Sequence, residues 1–155
     1  MGCVYCKARR MLADLAEHSM KCQSRVIQTR TIAWCKDLLP SLNIHKTIPN
    51  ILVHPTCSTT HLGLSETLLE IASALAASAE IPLGTTCCGT AGDRGLLHPE
   101  LVHSATRDTI VQIQSSGDET CFVSANRTCE FGMRQTTGKV YESFIYALEE
   151  ATRFV

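Results

Sequence analysis

Apolar positions along the chain switch between a helical and a strand-like period. Ala8, Met11, Leu12, Leu15 and Ala16 follow i, i+3, i+4, i+7, i+8 and predict a helix after a short loop within Met1–Met20. Arg25-Val26-Ile27-Gln28-Thr29 reads as a strand-like piece, followed by a short helix through Trp34, Leu38 and Leu39 that Pro40 ends. Ile51-Leu52-Val53-His54, closed by Pro55, predicts a buried strand with Cys57 just past its C-terminal end. Leu64, Leu68, Ile71, Ala72 and Leu75 share one helical face. Glu80-Ile81-Pro82-Leu83 is a second strand candidate, weakened by Pro82. Pro99 suits the first turn of another helix, with Val102, Ala105, Thr109 and Ile113 inward and Gly117 stopping it. Cys121-Phe122-Val123-Ser124 is a third strand, and Phe144, Leu148 and Ala151 mark a C-terminal helix.

Strands alternating with helices predict an α/β fold: a small, open, mostly parallel sheet with helices on both faces. Cys57, the Cys87-Cys88 pair and Cys129 each follow a strand candidate. Sites in open parallel sheets form beyond the carboxyl ends of the strands, so these distant cysteines are expected to converge there. The absence of repeats, low-complexity runs and long linkers suggests one compact unit, with residues 1–28 as an N-terminal helical segment.

Composition narrows the function. The 155 residues are 45% hydrophobic and 19% charged, ordinary for a globular domain, and the net charge of −1 gives no nucleic-acid or polybasic membrane footprint. The longest apolar stretch, Ile71–Ala79, is too short to span a bilayer, and no secretory-signal-like run is present. The expected location is therefore cytoplasmic, or peripheral at the inner face of the membrane. Nine cysteines, an odd number, in a reducing compartment point to metal or redox work rather than a disulfide scaffold. Cys3-Val4-Tyr5-Cys6 is a lone C-x-x-C, used by redox and metal sites alike. Cys22, Cys35 and Cys121 read as small buried hydrophobes. His54, before a proline at a strand end, reads as structural, and His61, His98 and His103 lack metal-ligand spacing.

The chemistry concentrates in Thr85-Thr86-Cys87-Cys88-Gly89-Thr90-Ala91-Gly92-Asp93-Arg94-Gly95. Neighbouring side chains on a strand point to opposite faces, so two adjacent sulfurs reach one point only where the backbone turns. Gly89, Gly92 and Gly95 allow such a turn. The thiols are expected to hold an iron–sulfur cluster. Tetrahedral zinc also accepts four thiolates, although its ligands usually come in short knuckles, and thiol–disulfide exchange is a third option.

The pieces His54-Pro55-Thr56-Cys57-Ser58, Cys87-Cys88-Gly89-Thr90-Ala91-Gly92-Asp93-Arg94-Gly95 and Arg127-Thr128-Cys129-Glu130-Phe131-Gly132-Met133 resemble the cysteine-rich CCG domain. That domain occurs in heterodisulfide reductases, in glycolate and lactate oxidation iron–sulfur subunits, and at the C-terminus of FAD-linked D-lactate dehydrogenases, the group this chain resembles most. The resemblance runs over residues 29–155. It implies Cys57, Cys87, Cys88 and Cys129 as ligands of a [4Fe–4S] cluster. The wider pattern ends in C-x-x-C, whereas Asn126 stands where the first of those cysteines would be, a loss shared by the lactate dehydrogenase branch. In this setting Gly89 and Gly92 would bring backbone N–H groups to the cluster, and Arg94 and Arg127, with Arg134, would balance its charge.

No G-x-G-x-x-G, P-loop or FAD-binding region is evident. Abstracting hydride from a 2-hydroxy acid needs a flavin or nicotinamide, so this chain alone is not expected to oxidise lactate. The resemblance implies partners: an FAD-binding dehydrogenase domain or subunit as electron source, and a quinone or cytochrome as acceptor. The abrupt Met1-Gly2-Cys3 start also fits part of a longer ancestral polypeptide, or an inactive remnant of one.

Overall fold

The computed structural model describes residues 24–45, 47–92 and 94–153. The helix expected within Met1–Met20, together with Cys3, Cys6 and Cys22, lies outside the described residues. The elements are α1 (Ser24–Leu38), a 3₁₀ turn (Leu39–Ser41), β1 (Ile48–His54), α2 (Cys57–His61), α3 (Ser65–Leu75), β2 (Ala76–Glu80), α4 (Arg94–Leu97), α5 (Pro99–Ser115), β3 (Thr120–Ser124), α6 (Arg127–Thr137), β4 (Tyr141–Ser143) and α7 (Phe144–Thr152).

The expected α/β architecture is present. Four strands form one open sheet in the order β2-β1-β3-β4, and every pairing is parallel. Alternation along the central strands divides the core between two faces. Ile51, Val53 and Val123 pack with Ile32 and Cys35 of α1, with Leu68, Ile71 and Leu75 of α3, and with Phe144 and Leu148 of α7. Leu52 and Phe122 point the other way, to Ile113 of α5, Met133 of α6 and Tyr141 of β4. Fully burying each such aliphatic side chain contributes about 1.5–3 kcal/mol. The Ile51–His54 run is buried throughout, as a strand covered on both faces requires.

Two local expectations are corrected. Arg25–Thr29 is not strand-like but lies within α1. The β-branched run is short, and the helical spacing of the buried pair Ile32 and Cys35 carries the helix through. The second strand is Ala76–Glu80 rather than residues 80–83. Ala-Ala-Ser-Ala-Glu has helical propensity, yet the backbone passes directly from α3 into extended geometry at Ala76 (φ −126, ψ 155) and pairs with β1. Tertiary pairing overrides propensity there. The helix α5 forms as expected with Val102, Thr109 and Ile113 buried, but Thr106 rather than the half-buried Ala105 completes its inner face.

The strand order has a functional consequence. The chain moves outward from β1 to β2, then crosses back to build β3 and β4 on the other side, so the winding reverses between β1 and β3. Beyond the C-terminal ends of two such strands lies the crevice that open α/β sheets use for binding. His54 and Ser124 end these strands as register partners, and Ser124 Oγ donates to the His54 carbonyl at 3.1 Å.

Candidate metal centre

Three segments bring sulfur to that crevice. After β1 the chain turns through buried Pro55 and Thr56. Thr56 caps α2: its Oγ1 accepts from the Thr59 N–H at 3.1 Å and lies 2.8 Å from Thr59 Oγ1. Cys57, the first residue of α2, is thereby held at the mouth of the crevice and is exposed.

Cys129 sits in the first turn of α6 and is buried. Asn126 caps this helix, its Oδ1 accepting from the Thr128 N–H at 2.9 Å. Asn126→Ala is expected to cost about 1 kcal/mol of stability, read as a Tm about 2–4 °C lower in calorimetry.

The middle segment is the Cys-Cys-Gly loop. Gly89 has φ +74, and a Cβ there would lie 2.6 Å from the Leu101 carbonyl oxygen and 2.8 Å from Val102 Cα of α5. The loop backbone therefore rests directly on that helix. Gly132 of α6 closes the other side, since a Cβ on it would stand 2.5 Å from Thr90 Cγ2. Just after these two contacts the chain turns through left-handed residues at Ala91 (φ 43) and Gly92 (φ 78).

The sulfurs meet. Cys88 Sγ lies 3.0 Å from Cys129 Sγ and 2.9 Å from Thr90 Oγ1, and the Gly89 N–H donates to Cys87 Sγ at 3.3 Å. Cys88 and Cys57 both act on the Cys87 thiol. The Cys88 hydrogen bond and burial hold the Cys87 thiol well above the ordinary thiol range, against the opposing pull of the Gly89 N–H and Cys57. A metal binding at this sulfur must displace its proton.

His54 completes the cluster. It is 2% exposed, and its ring stands perpendicular to that of Tyr141 with centroids 6.4 Å apart. A ring nitrogen of His54 and the sulfurs of Cys88 and Cys129 all lie within 4.8 Å of one another, a group that could hold a metal ion. Among the described residues neither Nδ1 nor Nε2 has a hydrogen-bond partner. A buried polar group left unsatisfied costs about 1–3 kcal/mol, so these nitrogens stand at a cost that a ligand would relieve.

The structure brings Cys88 and Cys129 into contact, with Cys87 beside Cys88 in the same loop and Cys57 exposed at the start of α2, and adds two residues that the sequence reading did not place at the site. Thr90 carried no signal beyond its place in the loop. His54 was read as structural; its place at the end of a central strand, three residues before Cys57, was the available signal. Gly89 lies within the site, while Gly92 is exposed with nothing close to its Cα hydrogens. Arg94 and Arg134 are exposed, and Arg127 pairs with the buried Glu130 at 3.0 Å. Burial raises the Glu130 carboxyl above its usual range, with Arg127 pulling the other way. His61, His98 and His103 are exposed and apart from this buried group. Burial pushes the Cys35 and Cys121 thiols up to about 11 each, as for inert core cysteines.

A family model described as the CCG cysteine-rich domain matches residues 51–134, more than half of the chain and the span that contains all of these donors. The chain belongs to the CCG cysteine-rich domain family. No curated protein and no solved structure matches it. In this CCG domain the gathered donors are thiol sulfur and imidazole nitrogen, the soft and borderline ligands that select zinc and iron–sulfur centres over magnesium or calcium. Among the described residues no helix is long and apolar enough to cross a membrane.

Proposed function

We propose that this CCG domain is an iron–sulfur electron-transfer domain of the FAD-linked D-lactate (D-2-hydroxy-acid) dehydrogenase type. It receives electrons from a flavin on a separate domain or chain and passes them towards a quinone or cytochrome. The observation that carries the proposal is the contact of Cys88 in the Cys-Cys-Gly loop with Cys129 of α6, beside a buried histidine without a partner among the described residues, at the reversal point of the sheet. Cys57, Cys87, Cys88 and Cys129 would hold a [4Fe–4S] cluster, which supplies one-electron redox chemistry when bound. The flavin and hydroxy-acid assignment is supported by the resemblance of the three cysteine segments to the C-terminal region of those dehydrogenases.

The protein's own groups have definable tasks. The Gly89 N–H and the Thr90 hydroxyl are placed to donate to Cys87 and Cys88 sulfur, which withdraws charge from the thiolates and raises the reduction potential. Buried Cys88 and Cys129 keep water from the inner side. Exposed Cys57 marks the side from which an electron partner approaches. Anaerobic mixing with D-lactate and a D-lactate-oxidising FAD protein is expected to bleach the visible absorption of the iron-loaded chain. A flavin that becomes reduced while the chain keeps its oxidised spectrum contradicts the electron-transfer role.

One observation favours a structural zinc site as a second reading. His54, Cys88 and Cys129 offer ligand atoms close enough to surround a single ion with bonds of roughly 2.0–2.3 Å. Stoichiometric zinc without iron in freshly isolated protein decides for it.

A further inference from the structure

We propose that His54 is itself a ligand of the metal centre, taking the place of one of the four cysteines, so that the donor set mixes imidazole with thiolate. The inference deepens the proposed function and rests on its premise that these thiols hold a metal. Three independent features place the ring in that role. First, both nitrogens are buried without a partner among the described residues, although a polar ring in a parallel-sheet core ordinarily donates or accepts at least once. Second, the unpartnered ring lies against sulfur: its ligand atom shares a 4.8 Å group with Cys88 and Cys129. Third, the ring is confined: it is buried and stands edge-on to Tyr141. The His54 backbone is paired with Ser124 in β3, and its carbonyl accepts the Ser124 hydroxyl at 3.1 Å. A role in packing alone would be served by an apolar side chain of similar size, with no orphaned nitrogen. Neutral imidazole is a borderline donor that binds both iron and zinc, and replacing thiolate by imidazole on a cluster iron removes negative charge and raises the potential. His54, Cys88 and Cys129 are the three buried donors; Cys87 is half-buried and Cys57 exposed.

The test uses the full chain, loaded with iron and sulfide, labelled with [15N]histidine and reduced. Pulsed electron paramagnetic resonance is expected to show a nitrogen coupling of the strength found for a directly bonded imidazole. The coupling should vanish in His54→Cys, which supplies a thiolate and keeps its iron, and in His54→Gln. An iron-loaded wild-type chain without a bonded-nitrogen coupling overturns the inference and leaves the proposed function standing, and so does a coupling that persists in both variants. If neither variant folds, the wild-type spectrum decides. A chain that takes up no iron contradicts the proposed function instead. Cobalt(II) then reads the ligand: d–d bands that differ between wild type and His54→Cys support His54 coordination. Identical spectra, or no cobalt binding, overturn it.

Discussion

Replacing Cys88 with serine is expected to lower the metal affinity of the chain by roughly 100-fold or more, because groups that merely orient ligands already cost 10–100-fold when lost. Cys88 is the hub of the site. Its sulfur touches Cys129 at 3.0 Å and Thr90 at 2.9 Å. It is also buried, so water cannot take its place as a ligand without opening the loop. Serine keeps the volume and a hydrogen-bonding hydroxyl, so the fold should survive while a soft donor is lost. Cys121→Ser is the control: Cys121 lies within β3, packed against the other core face, and its loss should leave metal content unchanged. Metal per chain after gel filtration checks both. Full occupancy in Cys88→Ser would remove this residue from the centre.

Gly89→Ala is expected to cost about 3 kcal/mol of folding stability. Two effects add. A non-glycine residue held in left-handed geometry costs about 1–3 kcal/mol, and overpacking costs about 1–3 kcal/mol more. The second effect is unavoidable here, since the new Cβ would meet backbone atoms of α5 at 2.6 and 2.8 Å rather than the end of a flexible side chain. For a chain of this size the Tm should fall by about 6–12 °C. Gly92→Ala separates the two effects: its φ is +78, but nothing lies within 4 Å of the added Cβ, so only the conformational part remains. Equal losses in the two variants, measured by urea denaturation, would mean that contact with α5 contributes nothing.

How much of this was legible in the sequence depended on whether a signal was local. The buried run Ile51–His54 and the spaced positions of α3, α5 and α7 expose one face each, and pattern alone finds them. Their alternation was enough to expect a parallel sheet and, from that, four cysteines at one edge. The strand Ala76–Glu80 was not legible, because its residues favour a helix and only pairing with β1 makes them extended. Tyr141–Ser143 is a three-residue strand, too short for any period. The same limit hid His54. Its value at the site comes from what surrounds it in space, two sulfurs and no hydrogen-bond partner, and neither fact is written in Val53-His54-Pro55. Gly132 tells a similar story: nothing in Phe131-Gly132-Met133 says that Thr90 of a distant loop presses on it.

The most direct measurement is the iron and acid-labile sulfide content of anaerobically isolated chain, taken with its electron paramagnetic resonance spectrum after dithionite reduction. About four irons and four sulfides per chain are expected, the composition of a [4Fe–4S] centre. A folded protein that carries stoichiometric zinc, or no metal at all after iron–sulfur reconstitution, would contradict it.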